Sequence, residues 1–228
     1  MLSRYLFLLL FSSLLFGSQY WKLDSVDGDI GKFATKLPYP VGTTGIVIHD
    51  LPQGYSSIVS YCETTSSNSV KFYPFDTLKQ ENLPHGKWKP SKGDRVRFQE
   101  NYHRAMIIAK NFNDYLETYR KFKKEWIHPD LFSATLSTRG HRSPLKEDFN
   151  YFCKEHMVGL IYIALRDEVA IVDCLSMKKV DSYPMEFPDG EVQKPFYSRI
   201  KEIKANWFGE GKDDISDFEK YYRRLIEK

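Results

Sequence analysis

The apolar residues of this 228-residue chain change their repeat once, near residue 111, and that change limits the fold more than any other feature. Before it, β-branched and aromatic residues come in short runs between turn formers. Segments 44–49, 55–61, 70–73, 95–98 and 105–109 read as strands, separated by Pro40 and Gly42, Pro52 and Gly54, the serine-rich 66–69, and Pro90 and Gly93. Short strands at such spacing predict a small β-barrel or sandwich over 20–110. Segment 84–92 reads as a Pro- and Lys-rich exposed loop carrying Trp88. After the change, Phe112, Tyr115, Leu116, Tyr119 and Phe122 recur on one helical face, expected to point inward, with Asn111 as the cap.

The helical pattern continues. His128-Pro129-Asp130 opens a short helix ending near 137, since Pro suits a first turn, and a polar loop 138–142 follows. Ser143-Pro144 opens a third helix with Leu145, Phe149, Phe152 and Cys153 inward. Segments 159–165 and 169–174, joined by Arg166-Asp167-Glu168, read as a hairpin, and 179–185 as a third strand. The expected fold is therefore α+β. An N-terminal β unit precedes an α+β unit over 111–200, in which helices lead into an antiparallel meander. The last segment, 201–228, carries an amphipathic helix at about 213–226, with Ile215, Phe218, Tyr221, Tyr222 and Leu225 on one side. Acids at its start and Arg223 and Arg224 near its end suit the helix dipole.

Charge and cysteine narrow the function. With 33 Lys+Arg against 30 Asp+Glu, the chain lacks the strong basic excess of a general nucleic-acid binder. Arg4, the apolar run 5–16 and the small residues Gly17 and Ser18 have the layout of a secretory signal peptide over 1–17. The run is shorter than the ~20 residues of a membrane-spanning helix. The expectation is an exported protein of the periplasm or cell surface, with no transmembrane span in the mature chain. Cys62, Cys153 and Cys174 form no metal-ligand spacing, and no metal or other cofactor is expected. Cys153 and Cys174 have two readings, a disulfide or two buried thiols. No phosphate loop, G-x-S-x-G or H-E-x-x-H occurs. His128 with Asp130 reads as a helix start, and His49 with Asp50 as a polar strand end whose side chains diverge.

Specific words in the sequence add a resemblance. IHPDLFSATLS (127–137), PLKEDFNYFCKEHMVGLIYIAL (144–165), VDC (172–174) and VQKPFYSRI (192–200) resemble the N-terminal domain of the plasminogen-binding protein PgbA family. VGTTGIVIH (41–49) and FDTLKQENLP (75–84) extend it through the first half. The resemblance implies a non-enzymatic envelope protein that binds host plasminogen. Plasminogen's kringles hold a lysine ammonium with carboxylates, its stem with aromatic rings and a terminal carboxylate with cations. On that chemistry the candidates are Lys228, which carries ammonium and terminal carboxylate together, then Arg224 and Arg223, and internally Lys123 and Lys124. Namesake members continue into Lys-rich tails, whereas this sequence runs to Lys228. The competing expectation is a periplasmic structural or assembly module that docks another envelope protein without binding plasminogen.

Overall fold

The computed structural model describes residues 19–76, 88–204, 206 and 210–227. The signal-peptide segment 1–17, residues 84–87 of the expected loop, and Lys228 lie outside the described residues.

Seven strands build the N-terminal unit: β1 (Trp21–Lys22), β2 (Ser25–Asp27), β3 (Ile30–Lys32), β4 (Thr44–Asp50), β5 (Ser56–Ser66), β6 (Ser69–Pro74) and β7 (Arg95–Phe98). They pair in the order β1-β7-β4-β5-β6-β3-β2, and every pair is antiparallel. The two edge strands are neighbours in the chain, with only Leu23 and Asp24 between them. The sheet therefore curls until both ends meet one stretch of backbone. The Leu23 N–H donates to Asp94 on the β7 side at 3.0 Å, and the Asp24 N–H donates to Lys32 on the β3 side at 2.9 Å. Curling removes the open edges that a flat sheet would expose. Leu23, Phe33, Val47, Cys62, Val70, Phe72, Val96 and Phe98 fill the interior. The small barrel expected from strand spacing is thus present as a curled sheet. Burial pushes the Cys62 thiol up, which keeps it protonated and inert.

The second unit contains β8 (Arg104–Ile108), α1 (Phe112–Lys121), β9 (Glu125–Ile127), α2 (Pro129–Arg139), α3 (Lys146–His156), β10 (Leu160–Ala164), β11 (Glu168–Asp173), β12 (Lys179–Pro184) and α4 (Phe218–Glu227). Its sheet runs β12-β11-β10-β8-β9. β10, β11 and β12 form the expected antiparallel meander, while β8 joins β10 and β9 in parallel. This corrects one expectation. Segment 105–109, assigned to the N-terminal barrel, is a central strand of the second sheet. All five of its residues are buried, as a strand covered on both faces requires. Along β8 and just beyond it, Met106 and Ile108 enter one core with α2, α3 and α4, while Ala105, Ile107 and Ala109 enter the other with α1.

Helix boundaries follow their caps. α2 continues to Arg139, past the expected end at 137, because Gly140 adopts a left-handed conformation and its N–H closes on Leu136 and Ser137. α4 starts at Phe218 rather than 213, because Asp217 accepts from the Lys220 N–H at 2.9 Å. Ile215 is buried but precedes the helix. α3 starts at Lys146, where the buried Asp148 accepts from the Leu145 N–H at 2.8 Å and binds Arg139 and His141.

The two units meet at Asp173, which is completely buried. Its Oδ2 accepts from the Thr44 N–H at 2.9 Å, the Thr44 hydroxyl at 2.7 Å and the Tyr102 hydroxyl at 2.7 Å. Its Oδ1 accepts from the N–H groups of Leu175 and Ser176, both at 3.0 Å. The Ser176 hydroxyl continues the seam to the Gly42 carbonyl at 2.6 Å, and Lys178 pairs with Glu63 at 2.8 Å. Gly42 has φ +93°, and a Cβ there would lie 2.6 Å from the Lys178 Cβ, so close approach and backbone both call for glycine. Beside the seam, Cys153 of α3 and Cys174 form a disulfide with Cα atoms 5.8 Å apart.

Two predictions follow from this seam. Asp173→Asn keeps the side-chain shape but turns an NH2 toward fixed N–H donors, those of Thr44 or those of Leu175 and Ser176. It is expected to cost roughly 1–3 kcal/mol, read as a lower urea midpoint at unchanged slope; an unchanged midpoint would contradict the assignment. Burial also pushes the Asp173 carboxyl above the usual carboxylate range despite its donors. Separately, replacing Cys153 and Cys174 by Ala opens a loop of sequence separation 21. Chain entropy predicts a loss of about 3 kcal/mol, and unfolding curves that coincide with and without the pair would refute it.

Candidate partner-binding surfaces

The α1 helix does not bury the stripe expected of it. Asn111 caps it by accepting from the Asp114 N–H at 2.9 Å. Its buried residues are Asp114, Tyr115 and Thr118. Phe112 and Tyr119, expected inward, are 51% and 46% exposed. The helix lies over β8 and β10. The Phe112 and Tyr119 rings, near its two ends, remain on the surface.

Those rings join into a band on the α1 face of the second sheet. Centroid distances are 6.1 Å for Tyr119–Trp126, 5.2 Å for Trp126–Tyr162, 4.9 Å for Tyr162–Phe122 and 5.5 Å for Phe122–Tyr183. An open cleft of about 690 Å³ lies against Tyr119, Phe122 and Trp126, rimmed by His103, Arg120, Lys123 and Lys124. The two internal lysine candidates differ within it. Lys123 is exposed. Lys124 is half-buried and donates to the Tyr102 carbonyl at 2.8 Å, and desolvation lowers its pKa. Lys121 lies over the Tyr183 ring at 4.4 Å from its centroid. Glu125 pairs with Arg104 at 3.3 Å and with His103 at 3.8 Å.

The C-terminal candidates separate in the same way. Arg223 binds Glu219 at 2.6 Å, Glu168 at 3.3 Å and Asp167, which clamps α4 to the β10–β11 turn. Arg224 is exposed, with its guanidinium 5.9 Å from the Tyr221 ring. Tyr222 anchors the helix from within, fully buried and donating to the Pro195 carbonyl at 3.0 Å. The structure thus gathers Lys123 and Lys124 on the α1 face, and Arg223 and Arg224 on α4 among the elements of the opposite core.

The remaining polar motifs hold the fold. His128 caps α2, accepting from the Asp130 N–H at 3.2 Å. Asp130 accepts from the Ser198 hydroxyl at 2.9 Å, the Arg199 N–H at 2.8 Å and the Arg199 guanidinium at 2.6 Å. Its partial burial raises the pKa, but these donors outweigh that and leave the carboxyl below its ordinary value. His49 binds Asp94 at 2.7 Å and Asp50 binds Arg95, so the adjacent pair does diverge. Among the described residues, no group of three or more His, Cys, Asp or Glu is placed to hold a metal ion. No helix among them is long and apolar enough to cross a membrane. Sequence reasoning overlooked Asp173 and the Asp130–Arg199 clasp. The available signal was an acid at the end of an apolar strand, and two family-like words whose polar residues had no local partner.

A family described as plasminogen-binding protein pgbA N-terminal matches residues 20–226. Two curated relatives, both named plasminogen-binding protein PgbA, come from Helicobacter pylori strains J99 / ATCC 700824 and ATCC 700392 / 26695. Each is 25% identical over 207 residues, covering 88% of this chain and 42% of the relative. The chain therefore spans less than half the length of the curated relatives it matches. No solved structure matches it. With the family match running from β1 to α4, this chain belongs to the family of the plasminogen-binding protein pgbA N-terminal domain.

Proposed function

We propose that this chain is an exported, non-catalytic binding module whose partner is plasminogen, engaged by lysine capture in its kringles. The carrying observation is the family match over 20–226, which takes in every strand and helix of both units. Export is supported by the apolar run 5–16 behind Arg4, and by the Cys153–Cys174 disulfide, which suits an oxidising compartment. The protein then acts in the periplasm or at the cell surface.

Lysine capture needs an ammonium that a kringle can reach. Arg223 is engaged by three carboxylates and Lys124 by a backbone carbonyl, so both serve the fold rather than the partner. The reading rests first on Lys228 and second on Lys123, with Arg224 as a flanking charge for the helix end.

Binding of the purified protein to immobilised plasminogen, with and without a free lysine analogue, tests this. The analogue is expected to abolish binding. Deleting Lys228 is expected to weaken it by roughly five- to thirtyfold, the range of an interface anchor worth about 1–2 kcal/mol, and Lys123→Ala by less. Binding indifferent to the analogue, or none above background, would overturn the proposal in favour of a module that docks another envelope protein through apolar or strand-edge contacts.

A further inference from the structure

The two faces of the second sheet differ in a way that the plasminogen reading draws on only through Lys123. α2, α3 and α4 cover one face with a shared apolar core. The other carries α1 together with Met185, Phe187 and Tyr197 from the chain after β12, and an open cleft lies against Tyr119, Phe122 and Trp126 of the aromatic band. Tyr119 is 46% and Tyr183 36% exposed there. Arg120, Lys121 and Lys123 surround these rings and are themselves exposed. Acids are fewer: Glu117 one turn earlier on α1, Glu125, already paired with Arg104, and Asp181 near Tyr162.

We propose that this basic–aromatic face docks on an anionic lipid surface, with the Arg120, Lys121 and Lys123 side chains on phosphate headgroups and Tyr119 and Tyr183 at the headgroup boundary. Amphipathic rings beside long cationic side chains are the composition favoured at a membrane–water interface. The cations form one local run, RKFKK (120–124), at the rim of an open cleft. Such a run suits a diffuse field of negative charge better than a shaped acidic ligand. Docked on this face, the protein turns α4 away from the lipid, because α4 belongs to the core on the opposite side of the sheet. The proposal shares Lys123 with the plasminogen reading and is separated from it by Lys121, which that reading does not use.

The test is co-sedimentation of the full chain with phosphatidylcholine vesicles, with and without phosphatidylglycerol. Binding is expected only with phosphatidylglycerol, and is expected to weaken as salt rises. Lys121→Gln and Lys123→Gln should each lower partitioning about fivefold, the effect of one cation beside an anionic surface, and nearly multiply when combined. Both positions are exposed, so urea midpoints should stay unchanged. Equal binding to neutral vesicles, or no response to the double variant, would overturn the proposal. So would failure to bind vesicles combined with variant-sensitive binding of poly-glutamate, which would assign the face to an acidic protein.

Discussion

Five hydrogen bonds converge on the Asp173 carboxyl group, and the arrangement of everything else depends on where they come from. Two come from Thr44 at the start of β4, one from Tyr102 just ahead of β8, and two from the turn that follows β11. A fully buried carboxyl with so many donors tolerates neither slippage nor separation, because any donor left without its acceptor would be desolvated for nothing. The barrel and the second sheet are therefore held at one fixed setting. Gly42 permits the close approach, and the Lys178–Glu63 and Lys154–Asp76 pairs extend it along the surface. The disulfide lies one residue further on, at Cys174, and ties α3 to the same turn.

From that rigid core the two sides of the second sheet diverge. One is sealed: Phe132 packs among Phe149, Phe152 and Phe196, and α4 closes over it through Phe218, Tyr222 and Ile226. Arg223 then pins α4 to the β10–β11 turn, which converts a candidate ligand into a structural clamp. The other side stays partly open: α1 and the chain after β12 pack on it, and a cleft remains against Tyr119, Phe122 and Trp126. A module with one sealed face and one partly open face has a built-in direction, which the proposed lipid docking would use.

Much of this was readable in the residues. The α+β division, the barrel, the 160–173 hairpin and all four helices follow from local period and capping, which short stretches of chain determine by themselves. What escaped was non-local. β8 looks like another barrel strand until its parallel partner β10, some fifty residues later, is known. β9 is three residues long, and β1 to β3 are short and interrupted by Asp and Gly, so neither shows a period. The burial of α1 depends on non-local neighbours, β8, β10 and the chain around Tyr197, and its aromatic stripe alone suggests a core position. The family-like words 41–49 and 172–174 could be picked out by eye, yet their reason is a contact between Thr44 and Asp173 across 129 positions.

The central claim is that Asp173 makes one cooperative unit of the barrel and the second sheet. Native-state hydrogen exchange at increasing denaturant tests it most directly, comparing amides of β4 with those of β10. The account predicts that both sets converge on one opening free energy and one denaturant dependence, that of global unfolding. Barrel amides that open at lower denaturant while β10 stays protected would contradict it.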